Sequence, residues 1–288
     1  MSDLRISTIT IVTELNTHID LIQLFDNIPI NERIKYIQKG DLQKGDIPKS
    51  KRKSRKPQSE KKKVFFNQAT IHYFHKKVVN VKLFNNGKVQ MTGLKYEDQG
   101  KEVLEGLIGI IQQVQEENRS NGILDKEIFS TKDKILYDNY RVVLINSDFD
   151  IGFPINRENL HREMVEPDVQ MYSSFEPCIY PGVNIKYFYN RGHEGGVCQC
   201  NRICNGKGLG NGDGDCKKVT IAVFMSGKAI ITGAMCREQL NIAHDFINEF
   251  VHSRKEKLIL PKKENEGIIT NGTNGANGAN GGITQATE

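Results

Sequence analysis

Four cysteines crowd one short stretch of the chain: Cys198, Cys200, Cys204 and Cys216, spaced C-x-C-x3-C-x11-C, with His193 just upstream. Thiolate sulfur is a soft donor, and four of them in a glycine-rich loop can wrap a tetrahedral zinc ion that supplies the order the loop's composition cannot. The spacing matches no familiar zinc ribbon or finger, so free thiols and disulfides stay open beside structural zinc. Nothing else in the sequence requires a cofactor. The opening residues, MSDLRISTITIVTEL, lack the basic start, apolar block and small-residue cleavage site of a secretory signal, which favours a reducing compartment and weighs against disulfides. Cys178 and Cys236 fall within expected core elements and read as small buried hydrophobes. Other tempting motifs fail on chemistry. Gly206-Lys-Gly208-Leu-Gly210 precedes strand-like sequence, so no helix N-terminus awaits a phosphate. Asn211, Asp213 and Asp215 have no later Glu to complete a calcium loop. No Ser/His/Asp or Cys/His set has a positional argument for nucleophilic catalysis.

Charge is the second chemistry, and it is concentrated. The 288 residues carry a net +5, but residues 49–63 hold nine basic side chains and one acidic, a local +8 that leaves −3 for everything else. Like charges interspersed with Ser and Pro repel and bury nothing, so Gly40 to Lys63 reads as a solvated insertion. It would serve solubility or nuclear import, or add non-specific attraction to nucleic-acid phosphates through counterion release. A composition of 38% hydrophobic and 26% charged residues is that of a globular protein. No run of about 18 apolar residues is present, which excludes a membrane-spanning helix and a membrane partner of that kind.

The elements that position these groups come in two copies. Val81-Lys-Leu-Phe84-Asn-Asn-Gly87-Lys88-Val-Gln90-Met-Thr92-Gly93 reappears as Ile221-Ala-Val-Phe224-Met-Ser-Gly227-Lys228-Ala-Ile230-Ile-Thr232-Gly233, an offset of 140 that persists to Gln99 and Gln239. Two copies at so long a period argue for an intramolecular pseudo-dimer rather than a solenoid. Val79–Phe84 and Lys88–Thr92 are β-rich runs around strong turn chemistry at Asn85-Asn86-Gly87, hence a hairpin, repeated at Ser226-Gly227. Helical periodicity follows each, in Val103, Leu104, Leu107, Ile108, Ile111 and Val114, then in Leu240, Ala243, Phe246, Ile247 and Phe250. Ile6–Val12 and Arg141–Ile145 are strands that open the copies, and Asn16 or Thr17 caps a short helix after the first. The class is α+β: two units joined edge to edge into one broad antiparallel sheet with helices on one face. Residues 1–114 form the first repeat, 115–134 a linker and 135–258 the second repeat. The basic insertion (40–63), the Gly/Cys-rich insertion (191–218) and an Asn-Gly-rich low-complexity tail (259–288) stand outside the core, as does the linker.

Two copies of Phe-x-x-Gly-Lys-x-x-x-Thr-Gly before a long helix, with Ile151-Gly-Phe153-Pro154-Ile155 and Ser173-Ser174-Phe175-Glu176-Pro177-Cys178-Ile179-Tyr180-Pro181-Gly182 in the second half, make the chain resemble the TATA-box-binding protein family. The resemblance implies a pseudo-symmetric saddle, one curved antiparallel sheet with helices on the convex face. It also implies minor-groove DNA binding on the concave face, with aromatic wedges between base steps; that geometry is the family's and not a reading of this sequence. Carried over by position, the wedges fall on Phe66 (or Phe65) and Phe84 in the first half and on Tyr180 and Phe224 in the second. Thr92 and Thr232 match groove-floor threonines, with Gln90 and Ile230 beside them. Lys88, Lys95, Lys186 and Lys228 match phosphate-contacting cations, and Met235 replaces the partner of Lys95. The family's two central Asn residues fall on Leu4 and Leu144, within a register of one or two residues, which weakens strict TATA preference.

Double-stranded promoter DNA, a transcription factor IIB-like protein at Glu176 and Ile179, and the RNA polymerase machinery are the partners this implies, with no catalytic activity. A divergent protist or large-DNA-virus member is implied, in a nucleus or at a cytoplasmic viral replication site. Two other readings stay open: a saddle-shaped interaction scaffold without DNA kinking, and a metal-containing enzyme that uses the fold for substrate recognition.

Overall fold

The structure is a computed structural model in which residues 3–47, 66–123 and 126–260 are described. Phe65, most of the basic insertion and the Asn-Gly-rich tail lie outside those residues. In chain order the first half comprises β1 (Arg5–Leu15), α1 (Leu21–Asn27), β2 (Ile34–Lys39), β3 (Leu42–Gly45), β4 (Gln68–His75), β5 (Lys77–Phe84), β6 (Lys88–Leu94) and α2 (Glu97–Ser120). The second comprises β7 (Tyr137–Asp150), α3 (Arg157–Val165), β8 (Tyr172–Ser174), β9 (Val183–Tyr189), β10 (Lys217–Val223), β11 (Lys228–Ala234), α4 (Arg237–Ser253) and α5 (Lys255–Leu258). All strands join one antiparallel sheet in the order β3-β2-β4-β5-β6-β1-β7-β11-β10-β9-β8. The expected mixed α+β sheet of two joined units is what forms, and its seam is the β1–β7 pair.

Alternation in the strands explains why the helices take one face. In β5 the residues Val79, Val81 and Leu83 are buried while Asn80, Lys82 and Phe84 are not, and β6 alternates Val89, Met91 and Leu94 with Gln90 and Thr92. The buried set meets α2 through Val103, Leu104, Leu107, Ile108 and Ile111, and α4 through Leu240, Ala243, Ile247 and Val251, in one continuous core. Each aliphatic side chain buried this way contributes about 1.5–3 kcal/mol, so the apolar stripe, not helix propensity, holds each helix on the sheet.

Local chemistry is duplicated with the topology. Gly87 and Gly227 close the two hairpin turns at φ +83° and +84°, each donating its N–H to the carbonyl of Phe84 or Phe224 at 3.0 Å. Neither long helix has a side-chain cap at its first boundary residue. Instead Gln99 Oε1 accepts from Lys95 N and Gln239 Oε1 from Met235 N, both at 2.8 Å, each reaching back to the backbone N–H of the residue before the boundary. Asn80 faces Thr92 in one copy as Thr220 faces Thr232 in the other, so the 140-residue offset holds in three dimensions from the second hairpin strand onward.

Several boundaries differ from the sequence expectation. Asp20, not Asn16 or Thr17, caps α1, its carboxylate accepting from Ile22 N and Gln23 N; Asn16 instead bonds Leu136 N and Lys134 O. The insertion expected from Gly40 begins with a strand, because β3 pairs with β2 from Lys39↔Leu42 to Tyr36↔Gly45. Helix α2 continues through Ser120 into the expected linker, and Ile128, Phe129 and Ile135 are core residues, Phe129 N donating to the buried Gln115 Oε1. Lys217 and Lys218 belong to β10. Cys178 and Cys236 are exposed rather than buried, the first in a turn and the second at the start of α4, where the apolar stripe has not yet begun.

Candidate nucleic-acid interface

The face opposite the helices is built from the other half of each alternation. Across the seam it presents Thr10 and Val12 from β1, Gln90 and Thr92 from β6, Leu144, Asn146, Asp148 and Asp150 from β7, and Ile230 and Thr232 from β11. Thr10 lies opposite Thr92, their hydroxyls 3.4 Å apart, and Asn146 lies opposite Thr232, whose hydroxyl donates to Asn146 Oδ1. Thr10 and Asn146 are therefore counterparts, 136 residues apart, as are Thr8 and Leu144. The opening strands follow a different offset from the hairpins. Leu4, placed by the 140 offset, precedes β1 and packs against the core; the first-half place belongs to Thr8, whose hydroxyl accepts from Gly93 N at 2.9 Å. An amide is present on the seam after all, at Asn146, two residues beyond Leu144.

The aromatic positions stand at the ends of this face. Tyr180 and Phe224 form a tilted ring pair with centroids 5.8 Å apart, and Tyr180 is 37% exposed. Gly182 makes the pair possible, since a Cβ there would come within 3.0 Å of the Tyr180 ring and 3.1 Å of the Phe224 ring. The turn carrying Tyr180 is held by Tyr180 N donating to Glu176 O at 2.9 Å and by the Arg157 guanidinium donating to Pro181 O. In that turn Ile179 projects with 79% of its surface exposed, beside the exposed Glu176. In the first half Phe84 faces Gln68 across β4–β5, and Phe66 is 75% exposed. The structure brings the second-half aromatics into contact with each other; among the described residues no ring contact joins Phe66 to Phe84.

The cations are less free than their spacing implies. Lys95 donates to the carbonyls of Ile6 and Ser7, which spends its charge on the end of β1 instead of leaving it for a phosphate. Lys228 lies 3.1 Å from Asp150, and Lys88 faces Glu14 in the β1–β6 register. Arg5 is bound to Asp148 at 2.7 Å, and Ser7 donates to the same carboxylate. The Ser7 hydroxyl and then Arg5 hold the Asp148 carboxyl below the usual carboxylate range, as the Gly152 N–H and then Lys228 do for Asp150. Lys186 donates to Thr220 Oγ1 at 3.1 Å, and burial followed by the nearby Lys218 lowers its ammonium below the ordinary lysine value. Acids on the seam escaped the sequence reading. The signal was there: Asp148 and Asp150 flank Phe149 with strand period, and Phe149 is a core residue.

The four insertion cysteines come together, with all four sulfurs within 4.8 Å of one another. His193 is outside that group, bridged to Asn190.

No family model matches the chain. It is 28% identical over 273 residues to a TATA-box-binding protein-like protein of Acanthamoeba polyphaga mimivirus, covering 91% of this chain and 69% of that one. It is 23% identical over 175 residues to a TATA-box-binding protein of Tetrahymena thermophila, covering 61% of this chain and about half, 51%, of that one. Among solved structures, the TBP of Methanococcus jannaschii overlays with a TM-score of 0.46 at 16% identity, over 87% of this chain and 99% of that one. Across most of its length the chain is similar in sequence to proteins named as TATA-box-binding or TATA-box-binding protein-like.

Proposed function

We propose that this chain is a transcription factor that lays its helix-free face along the minor groove of double-stranded promoter DNA, bends it, and recruits initiation factors and RNA polymerase. The observation that carries the reading is the Tyr180–Phe224 ring pair, 5.8 Å between centroids, at the end of a face floored by paired short side chains. Flat apolar rings can replace part of the stacking that a kinked base step loses. Thr10, Thr92, Thr232 and Asn146 keep the floor low and polar enough to meet base edges, while Ile230 offers an apolar contact. The exposed Ile179, with Glu176, supplies a contact for a transcription factor IIB-like partner. The names of the relatives are those of binding proteins, and the reading assigns no catalytic step. The site of action is a nucleus or a viral transcription site.

A second reading, a scaffold that no longer kinks DNA, is favoured by one observation. Asp148, Asp150 and Glu14 place carboxylates on the open face, two of them already paired to the cations that would otherwise meet phosphates. The deciding experiment is binding to AT-rich and GC-rich duplexes carrying a bend-sensitive fluorophore pair, with and without residues 48–63, at about 50 and 200 mM salt. AT-selective bending that survives the deletion supports the first reading. Salt-sensitive association without bending, lost with the deletion, leaves the second.

A further inference from the structure

The loop between β9 and β10 has almost nothing apolar to hold it. Ile203 is fully exposed and Leu209 largely so, and only Val197 and the buried Cys216 turn inward. The loop is nevertheless fixed at its base: Gln239 Nε2 donates to Leu209 O at 3.0 Å, and Arg191 reaches Glu238 at 3.0 Å. Its far turn, around Asn201 to Asn205, converges on the four sulfurs.

We propose that Cys198, Cys200, Cys204 and Cys216 bind one zinc ion tetrahedrally, and that this ion, in place of a hydrophobic core, fixes the insertion at the end of the β9–β10 hairpin. A tetrahedron with Zn–S bonds of about 2.3 Å has sulfurs about 3.8 Å apart. The Cys198–Cys216 separation is 3.8 Å and the Cys200–Cys216 separation 3.3 Å, with the remaining pairs inside 4.8 Å. Two disulfides would draw the residues into two separate couples, whereas all four sulfurs here share one centre.

Polar donors reach the sulfurs. Asn190 Nδ2 donates to Cys216 Sγ at 3.3 Å, and backbone N–H groups of Gly206 and Cys216 point to Cys204 and that of Cys200 to Cys198. Donors of this kind stabilise sulfur-bound charge and orient metal ligands. Binding exchanges the thiol protons for the metal, so no oxidant or reductant is involved. The consequence is a rigid knuckle that carries the exposed Arg202 and Ile203 beyond the sheet, a feature separate from the DNA reading and independent of its fate.

The test uses the full chain, purified without chelator. Expected are one zinc per chain by elemental analysis and, after exchange, the intense visible absorption of tetrahedral tetrathiolate cobalt. Both should vanish in Cys198→Ser/Cys204→Ser and persist in Cys178→Ser/Cys236→Ser, whose thiols lie elsewhere. Stripping the metal should open residues 190–216 to protease while the β-sheet circular dichroism remains. Wild-type protein with four titratable thiols in this loop and no tetrahedral cobalt spectrum would overturn the proposal, as would intact disulfides between these cysteines by mass spectrometry under non-reducing conditions. Neither overturning result depends on how well the serine variant folds.

Discussion

Replacing Asp150 by Asn isolates the part of the open face that most directly opposes a polyanion. Asp150 and Lys228 are cross-strand partners 3.1 Å apart, with 41% and 71% of their side chains exposed. An exposed pair of this kind is worth about 0–1 kcal/mol, and an amide at position 150 still accepts from Gly152 N, so the variant keeps its fold. What changes is the ammonium of Lys228, which becomes available to a phosphate. One additional phosphate contact steepens the dependence of log K on log salt by about 0.9, so a fourfold drop in salt should strengthen duplex binding by about 3.5-fold more in Asp150→Asn than in wild type. Fluorescence anisotropy titrations with one duplex at four salt concentrations measure this slope. Asp150→Asn/Lys228→Gln should return it to the wild-type value or below. An unchanged slope, or an equal steepening from Glu249→Gln on the exposed side of α4, would refute the placement of DNA on this face.

Other consequences are as specific. Tyr180→Ala/Phe224→Ala should abolish duplex bending and weaken AT-rich binding by about tenfold or more, roughly 1.4 kcal/mol, with circular dichroism unchanged; preserved bending would remove the wedge assignment. Gly87→Ala and Gly227→Ala should each destabilise by about 1–3 kcal/mol and lower Tm, because φ is positive at both and a Cβ would collide with the backbone carbonyl of Thr17 or of Phe153. Gln99→Leu leaves Lys95 N–H without its acceptor at the start of α2 and should cost about 1–3 kcal/mol in denaturant unfolding. Asp148 is held below its unfolded pKa by Ser7 and Arg5, so its contribution is complete above the unfolded value and is lost as pH falls through the folded one. Stability measured from about pH 5 downward should therefore fall less steeply in Asp148→Asn than in wild type.

The duplicated hairpins, the long helices and the joined sheet were legible because each rests on local chemistry that repeats: a positive-φ glycine, alternating strands, an apolar helical stripe. The register of the opening strands was not, because the stretch from opening strand to hairpin is four residues longer in the second half, 86 residues from Asn146 to Thr232 against 82 from Thr10 to Thr92, so the offset of the opening strands is 136 and not 140. That difference misplaced Leu4 and hid Thr8. Strand β3 was lost in a run whose composition is governed by the charges that follow it. Cysteine's usual burial misled at Cys178 and Cys236, where turn and helix-start geometry decide exposure. Among site residues, the aromatics and threonines could be placed from the repeat alone, whereas the carboxylates that pair with Arg5 and Lys228 are neighbours only once β1, β7 and β11 are laid side by side.

The broken symmetry of the seam has a directional consequence. Around one pseudo-two-fold axis, Thr10 answers Asn146, Val12 answers Asp148 and Gln90 answers Ile230. One end carries a touching ring pair, and the other Phe84 and the exposed Phe66 with no ring contact between them among the described residues. A ligand whose two ends differ would meet unlike halves, and turning it end for end would change its binding free energy. The sheet therefore acts as a vector: whatever lies across it is held with a left and a right.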